Sequence, residues 1–190
     1  METWIRSEEK YKGRIVSLWT GEACLDDGTI VEREVVKHPG GVAVVPLLND
    51  SVILIRQYRI AIDREILELP AGRLENDECP ESCAHRELEE ELGYRARQMV
   101  RVALYYSSVG FTNEKMHIFL AFQLQRTKPK PEPDERIQKV VVPIAEVESK
   151  LANQEFEDSK TIIGLRELLA YLEKHPGFLR RSSIHIRKAH

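Results

Sequence analysis

The sequence predicts an α+β fold. Strand-like stretches outnumber helical ones, only two segments carry clear helical spacing, and the two kinds do not alternate as they do around a parallel sheet. At 190 residues the chain is long enough to bury one proper core.

The elements follow in order. Residues 1–37 alternate apolar and polar positions around a turn signal at Asp26-Asp27-Gly28. This predicts a small antiparallel arm with strands near Lys12–Thr20 and Thr29–Lys37. His38-Pro39-Gly40 breaks the pattern. Gly41–Leu48 and Ser51–Tyr58 are apolar strands joined by the hairpin signal Asn49-Asp50. Glu65–Leu69 reads as a short strand before a turn at Pro70-Ala71-Gly72. Pro80 suits the first position of a helix and Gly93 its end, so a helix is expected over Pro80–Leu92. Further strands are expected at Gln98–Tyr106, Lys115–Gln125 and Gln138–Pro143. Between the last two, Lys128-Pro129-Lys130-Pro131-Glu132-Pro133 is too rich in proline for anything but a surface loop. Ile162, Ile163, Leu165, Leu168, Leu169 and Leu172 give Ser159–Lys174 helical spacing, ended by Pro176-Gly177. No internal repeat is visible.

Composition sets bounds on function. The chain is 42% hydrophobic and 31% charged with a net charge of −3, so it carries no general attraction to nucleic acid. No apolar run reaches the length of a membrane span, and the N-terminus lacks the apolar core of a secretory signal. The three cysteines, Cys24, Cys79 and Cys83, form a sparse, odd set that fits reduced thiols in a cytoplasm. Cys79 and Cys83 share a helix face, but His85 alone does not complete a zinc site. The basic end around Arg180, Arg181, Arg187 and Lys188 lacks interleaved aromatics and reads as a solvated tail.

The chemistry concentrates between Gly72 and Tyr94, in GRLENDECPESCAHRELEEELGY. Gly72, Glu78, Arg86, Glu87, Leu88, Glu90, Glu91, Gly93 and Tyr94 fill every required place of the pattern G-x5-E-x7-R-E-U-x-E-E-x-G-U, with U a bulky apolar residue. The segment resembles the box of the Nudix hydrolases. The resemblance implies a mixed sheet sandwiched between helices over roughly residues 40–175, and a metal-dependent hydrolase of nucleoside diphosphates linked to another group. On it we divide the chain into an N-terminal β arm (1–37), a Nudix domain (38–177) and a basic tail (178–190).

Helix geometry separates the box glutamates. At about 100° per residue, Ala84, Leu88 and Leu92 form an apolar stripe, with Glu91 nearest its edge, Glu87 next and Glu90 farthest round. Glu87 and Glu91 are i,i+4 neighbours close enough to share a cation. Carboxylate oxygens suit Mg2+, with Mn2+ able to substitute. An acidic, solvated helix face is the plainer reading of the same residues, and the flanking glycines Gly72 and Gly93, with Glu78, decide against it. The resemblance implies that the Ala71 carbonyl, Glu87 and Glu91 bind metal, that Glu90 lies nearby, and that Arg86 orients these carboxylates. It also implies a base on a mobile loop, for which Glu135 is the best match beside Glu132 and Asp134.

Glu68-Leu69-Pro70-Ala71-Gly72 and Gln57-Tyr58-Arg59 resemble the ADP-ribose pyrophosphatase branch. There an arginine at the place of Arg59 contacts the diphosphate, as a guanidinium can do in bidentate fashion. Glu68 and Glu114 take further substrate-side places. Arg33, on the arm, is a weaker candidate that a cross-strand ion pair explains equally well. Ser107-Ser108-Val109-Gly110 carries Val109 where that branch has its marker proline, so GDP-mannose and other nucleoside diphosphate sugars stay open beside ADP-ribose. The resemblance further implies a homodimer whose arms help build the partner's site. Trp4 and Trp19 on the arm are expected to pack in that interface. The rival readings are a nucleoside triphosphate or capped-RNA hydrolase and a non-catalytic nucleotide sensor. An intact box and the little sequence beyond the last helix argue against the sensor.

Overall fold

A computed structural model describes residues 1–75, 77–129 and 136–178. Its first three strands, β1 (Glu2–Lys12), β2 (Ser17–Leu25) and β3 (Ile30–Lys37), form an antiparallel sheet in the order β1-β2-β3. The turn at Asp26–Gly28 lies where expected, but the first strand does not. Lys12 ends β1, and Gly13 N donates to Val16 O at 2.9 Å to turn the chain into β2. Every residue of β1 is exposed, so there is no buried face to impose the apolar alternation that a sequence reading needs.

The main sheet is built from β4 (Gly41–Leu48), β5 (Ser51–Arg59), β6 (Arg64–Glu68), β7 (Ala71–Arg73), β8 (Tyr94–Tyr106), β9 (Lys115–Arg126) and β10 (Gln138–Pro143). Its order is β10-β5-β4-β9-β8, with β6 paired to β5 and β7 to β4. Only the central β4–β9 pairing is parallel among these, which makes the sheet mixed. Three helices complete the fold: α1 (Pro80–Leu92), α2 (Ile144–Ala152) and α3 (Ser159–Lys174).

The central strand is covered on both faces, which is why Val42 to Val45 are all buried without alternation. Val42 and Val44 join Ile53, Ile55, Phe119 and the α1 stripe of Ala84, Leu88 and Leu92. Ala43, Val45 and Leu47 join Leu69, Ile118, Val147 of α2, and Leu165 and Leu168 of α3. α1 therefore covers one face, and α2 with α3 covers the other. Gly164 lets α3 lie close on the sheet, since a methyl there would come within 2.5 Å of Leu69 Cδ1.

Three local corrections matter. Ala71 and Gly72 are strand residues rather than a turn, with Val42 opposite Gly72 and Ala43 opposite Ala71. β8 begins at Tyr94, directly after Gly93 caps α1 in a left-handed conformation (φ 65°). The short α2 was not expected; its stripe of Ile144, Val147 and Leu151 packs on the core, but at nine residues it spans too few turns for that spacing to stand out in the sequence. The arm meets the main domain where Val36 N donates to Phe111 O at 2.7 Å and His38 N to Asn113 Oδ1 at 2.8 Å.

Candidate active site

β7 and α1 bring the box together. Pairing with β4 fixes Ala71–Arg73, a short loop crosses to Pro80, and α1 then runs back past the strand. Glu87 and Glu91 lie at the edge of the buried stripe, 7% and 4% exposed, as the helical angles predict. Glu91 Oε2 accepts the Ala71 N–H at 3.1 Å. The Glu87 carboxylate lies against Gly72 so closely that a methyl group at position 72 would overlap it.

Arg86 is the hub of the acidic cluster. Its Nε and Nη2 donate to the two Glu78 oxygens at 3.0 and 2.9 Å, a bidentate pairing. Its Nη1 donates to Glu87 Oε1 at 2.6 Å and Glu90 Oε2 at 3.1 Å, and Nη2 also reaches Arg73 O at 3.2 Å. The Glu78 bonds, chiefly, push the Arg86 guanidinium well above its ordinary pKa, with burial acting against them. The same fork holds the Glu78 carboxyl below its usual range. Cys83 is buried behind this hub, donates to Arg73 O at 3.3 Å, and is pushed up in pKa by burial. It is part of the packing.

The donor set suits a hard cation: carboxylates of Glu87, Glu90 and Glu91 beside the Ala71–Gly72 backbone offer oxygen only. Among the described residues, no three His, Cys, Asp or Glu side chains converge as a preformed cage. Arg86 sits between Glu78, Glu87 and Glu90 instead.

These residues form one wall of a cleft of about 440 Å3. Ala71, Gly72, Arg73, Arg86, Glu87 and Glu90 line it, together with Arg59 from β5, Glu114, and Asp158, Ser159 and Lys160 at the start of α3. Arg59 donates from Nε and Nη2 to Glu68 at 2.6 and 3.0 Å. Burial opposes the Arg59 charge, but the Glu68 bonds outweigh it and raise its pKa. Glu114 stands beside His38, whose Nδ1 accepts the Gly40 N–H at 3.0 Å and lies 3.5 Å from Glu114 Oε1. Tyr105 also lines the cleft, its phenol pushed up to about 12 by burial.

Two expected residues stand elsewhere. Glu68 is 1% exposed and lies behind Arg59 rather than on the cleft surface. Arg33 is outside the cleft lining, paired with Glu2 of β1 at 2.8 Å. Glu135, Glu132 and Asp134 lie outside the described residues, as does the basic tail from 179 onward. Lys160, Asp158, His38 and Tyr105 were not anticipated. Asp158 did leave a signal: an aspartate just before an apolar-periodic stretch is a helix N-cap, and its Oδ2 accepts the Thr161 N–H at 2.9 Å.

The box, the sandwich and the cleft together define a Nudix-type site, and comparison with known proteins agrees. A family model described as the NUDIX domain matches residues 37–163, so the chain belongs to the Nudix family and is a Nudix hydrolase, of a kind that generally uses divalent metals. It is 36% identical over 170 residues to the ADP-ribose pyrophosphatase of Bacillus subtilis (strain 168), covering 88% of this chain and 92% of that protein. It is 34% identical, with the same coverage, to the methanol dehydrogenase activator of Bacillus methanolicus. A solved ADP compounds hydrolase matches with a TM-score of 0.83 at 21% identity, covering 92% of this chain and 96% of that one, a likeness of fold.

Proposed function

We propose that this chain hydrolyses the diphosphate linkage of a nucleoside diphosphate sugar, with ADP-ribose as the substrate, giving AMP and ribose 5-phosphate. The observation that carries the reading is one cleft lined by both the box carboxylates and by Arg59 and Lys160. Acids there suit a cation, and cations suit phosphate oxygens.

In this reading the Ala71 carbonyl, Glu87 and Glu91 hold Mg2+, with Mn2+ able to substitute, and Glu90 stands beside them. The metal, when bound, neutralises phosphate charge and lowers the pKa of a bound water. Arg86 keeps the Glu87 and Glu90 carboxylates oriented. Arg59 draws the diphosphate in through a guanidinium held flat by Glu68, and Glu114 contacts the substrate farther along the cleft. Glu135 takes the proton of the attacking water as its oxygen bonds to phosphorus and the bridging P–O bond breaks.

Val109 supports a second reading, because it stands where the branch that prefers ADP-ribose has proline. In that reading GDP-mannose or another nucleoside diphosphate sugar is preferred. Turnover against a panel of ADP-ribose, GDP-mannose, ADP-glucose and nucleoside triphosphates decides between them. A highest kcat/KM for ADP-ribose is expected; absence of turnover on the whole panel would leave a nucleotide sensor.

The chain acts as a homodimer through residues 1–37. β1 is exposed along its length, and Trp4, Ile5 and Tyr11 on it are 45%, 51% and 60% exposed, an apolar surface that a second copy would cover. Three cysteines outside any disulfide support a reducing, cytoplasmic setting. No helix among the described residues is long and apolar enough to cross a membrane.

A further inference from the structure

Glu68 closes β6 and is buried, yet its carboxylate receives two cations. Oε1 accepts Arg59 Nε at 2.6 Å, while Oε2 accepts Arg59 Nη2 at 3.0 Å and Lys160 Nζ at 2.5 Å. Arg59 and Lys160 thus share one oxygen, although Lys160 is 92 residues from Glu68 in the chain. Lys160 also donates to Asp158 Oδ1 at 2.9 Å.

These bonds leave donors over. Arg59 Nη1 meets no protein acceptor among the described residues, and Lys160 has a third N–H beyond the two that Glu68 and Asp158 receive. Both residues line the cleft that also holds Glu87 and Glu90. A purely structural role for Lys160 would be to tie α3 to β6. That tie already exists: Thr161 Oγ1 accepts the Leu69 N–H at 2.9 Å and donates to Asp158 Oδ2 at 2.6 Å. Two like charges held together at the wall of an open cleft, each with donors unassigned, suit an anion with several oxygens.

We propose that Glu68 is a positioning residue that holds Arg59 and Lys160 side by side as a two-cation clamp for substrate phosphate oxygens, and that Lys160 is a substrate-binding residue. The proposal rests on the reading of this cleft as a diphosphate site. Glu68 neutralises the repulsion between the two cations and fixes the plane of the guanidinium, so neither needs to be ordered when substrate arrives.

The test measures KM and kcat for ADP-ribose, Kd for inorganic pyrophosphate with Mg2+, and melting temperature. Lys160→Met should raise KM and Kd by roughly tenfold, the scale of one lost charge-assisted hydrogen bond, with a smaller change in kcat and little change in melting temperature. Lys160→Arg should restore most of the loss. Glu68→Gln should weaken binding at least as much, and adding Lys160→Met to it should cost less than the sum of the two. If Lys160→Met does not fold, Lys160→Gln is read in the same way. Values within about twofold of wild type overturn the clamp, and so does failure of both variants to fold, which would make Lys160 a structural staple. A wild type that binds pyrophosphate through Lys160 but hydrolyses no nucleoside diphosphate sugar refutes the proposed reaction and leaves the clamp standing.

Discussion

The Glu87 carboxylate occupies the space that a side chain at position 72 would fill, so Gly72 and Glu87 form a single packed unit. Strand β7 and helix α1 can approach this closely only because position 72 has no Cβ. Gly72→Ala must displace the carboxylate or the strand. We expect a loss of about 1–3 kcal/mol of stability, the scale of overpacking, together with a turnover loss larger than the stability change explains. Denaturant unfolding and steady-state turnover on the same preparation check this. Wild-type turnover in a folded Gly72→Ala protein would mean that the Glu87 position is not needed.

Arg86 grips Glu78, Glu87 and Glu90 at once through a planar fork. A lysine offers one point charge and cannot reproduce that geometry. Arg86→Lys should therefore lower turnover by roughly 10- to 100-fold, the usual cost of losing a partner that orients metal-binding carboxylates. Metal titration of activity should show a weakened apparent affinity. Unchanged metal dependence would separate Arg86 from the carboxylates it touches.

The fork also gives the fold a pH dependence. Its hydrogen bonds hold the Glu78 carboxyl below its ordinary value of 4.5, burial acting against them. A carboxyl whose folded pKa lies below its unfolded one contributes stability that is fully present above the unfolded value. That contribution is lost as pH falls through the folded value. Melting temperature should therefore drop below about pH 4.5, and Glu78→Gln should flatten that acid limb. Parallel acid limbs for the two proteins would contradict the assignment.

The arm yields a prediction about assembly. A three-stranded sheet with β1 wholly exposed has no core of its own to hold it. Deletion of residues 1–37 should convert a dimer to a monomer or an aggregate by size-exclusion chromatography with light scattering. A full-length chain that is monomeric at micromolar concentration would exclude the dimer.

Local signals carried much of the fold, and their limits are physical. α1 was legible at both ends because Pro80 and Gly93 are specific to those positions, and its inward face because Ala84, Leu88 and Leu92 repeat with the helix. β1 was hidden because Arg6, Glu8, Glu9 and Lys10 lie on a strand with no buried side. The box residues were legible because they lie in one short stretch of chain, from β7 through the loop carrying Glu78 and along α1 to its Gly93 cap and Tyr94. Lys160 was not, because it reaches Glu68 only after α3 packs on the sheet, a relation that no local spacing records.

The central claim is that the box carboxylates hold a divalent metal that turnover requires. The most direct measurement follows AMP and ribose 5-phosphate release from ADP-ribose with Mg2+, with excess chelator, and in Glu91→Gln, which keeps the side chain's shape but removes the charge from a carboxylate bonded to Ala71 N. Turnover should appear only with metal and fall by roughly two orders of magnitude or more in the variant, whose melting temperature should no longer rise with Mg2+ as the wild type's does. Full activity in chelator, or a Glu91→Gln protein as active and as Mg2+-stabilised as wild type, would contradict the account.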